Sequence, residues 1–169
     1  MSRGAGENRI TLASSEIFHP DTGAWSTVGN LAVARWLHAG VTLADGRVMV
    51  VGGDSNSELR STEIFDSSSG TWMSAGVLGT GRLYPAPTLL VNGKVLAAGG
   101  SDEYGRAYAG ADLYDPVRNL WKNIGSLNVA RSNHTATLLP DGSVLIAGGY
   151  GPSGTYLRSA EIFQYLRNR

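Results

Sequence analysis

The chain repeats itself at a fixed spacing. An arginine returns at Arg35, Arg82 and Arg131, and a diglycine follows each at Gly52 and Gly53, Gly99 and Gly100, and Gly148 and Gly149. An acidic residue comes next, at Glu16, Glu63, Asp112 and Glu161, and a tryptophan closes the unit at Trp25, Trp72 and Trp121. Arginine to first glycine is always 17 positions, acid to tryptophan 9, and tryptophan to the next arginine 10. Only the stretch from diglycine to acid varies, at 11, 13 and 13 positions. A chain that restates one unit of about 48 residues three and a half times builds an array of like sheets or helix pairs, and its insertions collect on one face.

The unit reads as four short strands. The first is carried by HAGVTLA, APTLLV and HTATLLP. Asp45-Gly46, Asn92-Gly93 and Asp141-Gly142 follow, dipeptides that predict type I′ hairpins with positive φ at both positions. The second strand, RVMVV, KVLAA or SVLIA, is almost continuously apolar, as a strand covered on both faces should be. SSEIF, STEIF, GADLY and SAEIF supply the third strand, and the fourth starts at the tryptophan. Asn119 stands where Gly23 and Gly70 stand in the other copies, which predicts a left-handed backbone there. No segment keeps a helical period, and the 23 glycines fit a chain of many turns.

Composition excludes several classes. The formal net charge is zero, with no clustered basic face for a nucleic acid. There is no cysteine, hence no disulfide, thiolate nucleophile or Cys-ligated metal. No apolar run approaches the ~18 residues of a membrane-spanning helix. The opening MSRGAGENRI has no apolar core of a signal peptide. The expectation is a soluble chain without cofactor and without nucleic-acid or membrane partner, the cytoplasm slightly favoured.

The landmarks resemble the kelch repeat, whose pattern runs Arg-x-x-His, a hairpin, an apolar strand into Gly-Gly, Glu-x-Tyr/Phe-Asp and then Trp. It stands here as ARWLHAGVTLADGRVMVVGG with STEIFDSSSGTW, and as ARSNHTATLLPDGSVLIAGG with SAEIF; the middle unit has Pro85 where the others have His38 and His134. The likeness covers residues 14–163. It implies an all-β, partial β-propeller of four-stranded antiparallel blades. The expected division of residues 1–169 is one domain: a half blade at 9–30, blades at 31–78 and 79–127, and an incomplete blade at 128–165. Known propellers close with about four to eight blades. The array is therefore expected to be part of a longer propeller, the favoured reading, or to close a six-bladed ring as a homodimer.

Residues at equal phase in every unit read as structural. The tryptophans are expected to wedge between blades, the arginines to bond the acids or nearby backbone, and His38 and His134 to hold hydrogen-bonded rings on inner strands, with His19 solvated in a turn. The variable loops, residues 54–60, 101–109 and 150–158, carry Tyr104, Arg106, Tyr108, Tyr150, Tyr156 and Arg158, residue types enriched at binding hot spots. The reading that follows is a non-catalytic module binding a protein or glycan through these loops and the channel mouth. The alternative is a segment of a carbohydrate-active propeller enzyme. A copper oxidase with a Tyr–Cys cross-link is excluded by the missing cysteine, and the loop acids Asp102 and Glu103 are adjacent and so point apart.

Overall fold

The computed structural model of the protein describes residues 11–165. The expectations about residues 1–10 and 166–169 lie outside the described residues. A two-stranded sheet comes first, β1 (Ser15–His19) with β2 (Ala24–Val28). The second sheet holds β3 (Ala39–Thr42), β4 (Val48–Val51), β5 (Ser61–Asp66) and β6 (Thr71–Val77), in that order. The third holds β7 (Ala86–Leu89), β8 (Val95–Ala98), β9 (Gly110–Asp115) and β10 (Leu120–Ser126). The fourth holds β11 (Thr135–Leu138), β12 (Val144–Ala147) and β13 (Ala160–Phe163). Every pairing is antiparallel, and the register is the same in each unit: Glu63 lies opposite Val50, Asp112 opposite Ala97, and Glu161 opposite Ile146. Among the described residues the only helical element is a three-residue 3₁₀ turn, Pro152–Gly154. No helix of the described residues is long and apolar enough to cross a membrane.

The sheets stack face to face, with the first strands β3, β7 and β11 side by side. Side chains alternate across a strand, so β8 serves two cores at once. Val95 and Ala97 meet Met49, Val51 and Ile64 of the second sheet and Leu78 just after it. Leu96 and Ala98 meet Val144 and Ile146 of the fourth. All four β8 residues are buried, which is why its sequence shows no polar alternation.

The hairpin turns are not of type I′. Gly46, Gly93 and Gly142 have φ of 86°, 79° and 86°, whereas Asp45, Asn92 and Asp141 are not in the left-handed region. Gly46 N–H donates to Leu43 O at 3.0 Å and Leu43 N–H to Arg47 O at 2.8 Å, and the other two turns repeat this pattern. This is a three-residue loop, a turn closed by a glycine bulge. The Asp or Asn is there for its side chain: Oδ1 accepts the N–H two residues on, at 3.1, 3.1 and 2.9 Å for Asp45, Asn92 and Asp141. Asn119 has φ 51°, as its match to Gly23 and Gly70 requires.

Each of the three unit-closing tryptophans packs on the aromatic residue of the third strand in its own sheet, at a centroid separation of 5.2 Å for Phe18–Trp25, Phe65–Trp72 and Tyr114–Trp121 alike. Two of them also reach the preceding sheet. Trp72 Nε1 donates to Ser15 Oγ, and Trp121 Nε1 to Thr62 Oγ1, both at 3.1 Å. The expectation that all three are inter-sheet wedges fails for Trp25, which is 65% exposed because no described sheet precedes it; Trp121 is 6% exposed. Trp121→Ala is expected to cost about 3–5 kcal/mol and Trp25→Ala under about 1 kcal/mol in urea unfolding.

Candidate functional site

A guanidinium sits at the heart of each unit. Arg35, Arg82 and Arg131 are 3%, 1% and 0% exposed. Arg35 Nη1 donates to Gly52 O (2.8 Å) and Ser61 O (3.1 Å), and its Nη2 reaches Glu63 Oε1 at 2.5 Å. Arg82 bonds Gly99 O (2.9 Å), Gly110 O (3.0 Å) and the Asp112 carboxylate. Arg131 bonds Gly148 O (2.8 Å), Ser159 O (3.1 Å) and Glu161 Oε1 (2.7 Å). The acids hold the incoming chain as well: Glu63 accepts Ala32 N–H at 2.7 Å, and Glu161 accepts Asn128 N–H at 2.6 Å. Burial pulls the Arg82 guanidinium below its usual range, and Asp112 works against that pull. Glu16 is exposed, and no arginine among the described residues pairs with it.

The two carbonyls on each arginine are the two ends of the variable loop. All three loops thus leave the same end of the array from clamped bases. Above the clamp, the residue after each diglycine bridges on both sides: Asp54 to Trp36 and Glu58, Ser101 to Leu83 and Ala107, and Tyr150 to Ser132 and Tyr156. The diglycine lets neighbouring sheets meet there. Gly100 N–H donates to Arg131 O of the next sheet at 2.8 Å, and a Cβ on Gly99 would lie 2.5 Å from that same oxygen. Both glycines have positive φ.

The loops present a tyrosine–arginine pair and a tyrosine–tyrosine pair. Tyr104 is 70% exposed, with the Arg106 guanidinium 5.5 Å from its ring centroid. Arg106 is fixed from below by the Asp102 carboxylate, which also accepts the N–H groups of Tyr104 (2.9 Å) and Arg106 (2.8 Å). Desolvation works to raise the Asp102 carboxyl, but these donors hold it below the ordinary range. Asp102 is therefore an internal tie, and Glu103 N–H links its loop to the preceding one through Glu58 Oε1 at 2.7 Å. In the next loop, Tyr150 and Tyr156 face each other at 4.8 Å between centroids, 39% and 80% exposed. Arg158 is exposed at the far end of that loop. Tyr108 is placed differently: it is half-buried at a loop base, where its N–H donates to Gly100 O at 2.7 Å and its carbonyl accepts Arg131 N–H at 3.0 Å. Burial, then the Asp102 and Glu58 charges, raise its phenol.

Sequence reading missed Tyr84. It is 37% exposed at the same end, and its φ of 50° matches Leu37 (54°) and Asn133 (51°), each two residues after a landmark arginine. Tyr84 N–H donates to Leu37 O at 3.0 Å across the sheet boundary. The one available signal was phase, since leucine and tyrosine do not advertise a left-handed backbone.

The histidines depart from expectation. His134 is 8% exposed, and neither ring nitrogen makes a hydrogen bond of good geometry. Burial and the Arg131 charge push its pKa down to about 4, against a weak backbone interaction at Ala98 and the Glu161 charge. His38 is exposed, its pKa lowered by desolvation and by Arg35. His19 ends β1 rather than lying in a turn, and its Nε2 is 2.8 Å from Ser26 Oγ. Among the described residues, no group of three or more His, Asp or Glu could hold a metal ion.

Two measurements test these assignments. Arg82→Met strands a buried carboxylate and is expected to cost about 3–5 kcal/mol, while the double variant Arg82→Met/Asp112→Leu costs less than the single one. For His134, the folded-state pKa lies below the unfolded value of 6.5, so the unfolded chain takes up the proton first. Stability should then be unaffected above that value and fall by about 3 kcal/mol as pH drops toward 4. In Glu161, Arg131 and the 128–129 amides outweigh desolvation and lower the pKa, so its loss of stability comes at more acidic pH. Urea melts of His134→Leu across this range should lose the first component and keep the second.

No curated protein matches the chain. The Kelch motif matches at residues 35–76 and 82–128, over half of the chain, each match opening on a clamp arginine. With its arginine, diglycine, acid and tryptophan in equivalent four-stranded antiparallel sheets, the chain belongs to the kelch-repeat family and forms part of a β-propeller.

Proposed function

We propose that this is a non-catalytic propeller module that binds a protein partner at the diglycine end of its sheets, with Tyr104, Arg106, Tyr150 and Tyr156 as contact residues and Tyr84 at the channel mouth. Kelch repeats are a module often used in protein binding. The observation that carries the reading is the placing of exposed rings on clamped loops. Tyr104 and Tyr156 are 70% and 80% exposed, yet the bases of their loops are held by buried guanidinium groups. An exposed ring on a fixed base loses little conformational entropy on binding, so its apolar area goes into affinity.

A glycan is the second reading. It is favoured by the Tyr150–Tyr156 pair, whose hydroxyls lie 3.5 Å apart and so offer ring faces beside polar groups to a sugar. The test is selection of displayed peptides on the protein, in parallel with a glycan array. Selected peptides are expected to lose at least about tenfold in affinity in Tyr104→Ala/Tyr156→Ala and to be unaffected by Val117→Ala/Leu120→Ala on the outer β9–β10 turn. Peptide binding that survives the loop variant rejects the proposed surface. Array binding lost in that variant, without any peptide binding, replaces the protein reading with the glycan one.

A further inference from the structure

The β7–β8 turn carries an amide where its two sister turns carry a carboxylate. Asn92 stands where the others have Asp45 and Asp141. It is followed by Gly93, which has no side chain to shield its backbone nitrogen. In such a pair the deprotonated Gly93 nitrogen can attack Cγ of Asn92, forming a five-membered succinimide and expelling ammonia. Water then opens the ring. Addition at Cγ cleaves the Cγ–N bond and yields aspartate; addition at the main-chain carbonyl cleaves the other C–N bond and yields isoaspartate. The balance in either case is one water consumed and one ammonia released.

The turn has the geometry to receive the first product. Asn92 is exposed, and its side chain uses only Oδ1, which accepts Lys94 N–H at 3.1 Å. Asp141 makes the same bond to Ser143 N–H at 2.9 Å with a carboxylate oxygen. Asp45 makes it to Arg47 N–H at 3.1 Å and also pairs with the Arg47 guanidinium, Nη2 to Oδ2 2.8 Å. Lys94 occupies the position of Arg47, but its ammonium pairs with Asp115 Oδ2 at 3.0 Å, so a new carboxylate here rests on the backbone N–H bond that Asp141 uses without a cation. The second product lengthens the backbone by a methylene. That breaks the match between Gly93 N–H and Leu90 O (2.9 Å) and between Leu90 N–H and Lys94 O (2.8 Å), which together set the β7–β8 register.

Two bonds of the closed turn restrain the reaction. Gly93 N–H is held by Leu90 O, and the Asn92 amide oxygen by Lys94 N–H, so neither nucleophile nor electrophile is free to rotate into the attacking geometry while the hairpin is closed. We propose that Asn92 is a deamidation site, restrained by the folded hairpin, whose conversion to aspartate the fold accepts and whose conversion to isoaspartate it does not. The change adds a negative charge to the cleft of about 230 Å³ that Asn92 shares with Asp141, Ser143 and Tyr165.

The test is to hold the protein at mildly alkaline pH, folded and in urea, and to follow Asn92 by peptide mapping with separation of the two isomers. Conversion in urea is expected to be at least about tenfold faster, since the folded chain must first open the turn. Asn92→Asp, which is the product itself, should keep the thermal midpoint of the parent, and the isolated isoaspartyl form should melt lower. Equal rates in both states, no conversion at Asn92 in urea, a lowered midpoint in Asn92→Asp, or an isoaspartyl form as stable as the parent would each overturn the proposal.

Discussion

A guanidinium shut away from water is tolerated only where acceptors are already fixed around it, and three such groups organise this molecule. Each of Arg35, Arg82 and Arg131 faces two backbone carbonyls and a carboxylate. A planar fork can satisfy that set in one plane; a lysine ammonium cannot. The carbonyls belong to the end of the second strand and the start of the third, the carboxylate to the third, and in two units, at Glu63 and Glu161, the carboxylate in turn grips the segment leading into the first. Arginine, diglycine and acid are therefore one device, since all three meet at one buried charge; the arginine-to-diglycine spacing is fixed, and the one spacing that varies is the loop that leaves the clamp and returns to it.

Around that device the sheets need only small, alternating apolar residues. Strand β8 shows the economy of the plan, with Val95 and Ala97 turned to one neighbour and Leu96 and Ala98 to the other. The tryptophan supplies the remaining contact, reaching back from the fourth strand of one sheet to the third strand of the sheet before. Stability in such a stack is shared between each unit and its neighbour. Trp25 and Trp121 show this directly: both pack alike on the aromatic residue of their own sheet, and only the one with a described neighbour is buried.

Much of this was legible in the sequence because the repeat averages out local ambiguity. Strand order, the positions of the turns and the family follow from landmarks present in several copies. What escaped was of two kinds. In one, a residue type serves two purposes. Asp45, Asn92 and Asp141 suggested a left-handed backbone, but they are selected for a side-chain bond to the amide two residues on. In the other, context decides and the residue is silent. Tyr84 gives no sign of its positive φ. Tyr108 and Tyr104 look equivalent in the chain, yet one braces a loop base and the other stands in solvent. His134 shares its phase with the exposed His38, but it lies between two sheets with its ring nitrogens unsatisfied.

The position of the clamp also explains where the repeats are free to differ. Gly52 and Ser61, Gly99 and Gly110, and Gly148 and Ser159 are joined through one side chain each, and everything between them lies outside the joint. The two extra residues of the later loops enlarge the tip without altering the separation of its ends, and lengthening a closed loop by so little adds only a small entropic cost. Each loop is in effect a cassette in a standard socket. Selection can rewrite the residues it carries while the strands beneath remain in register.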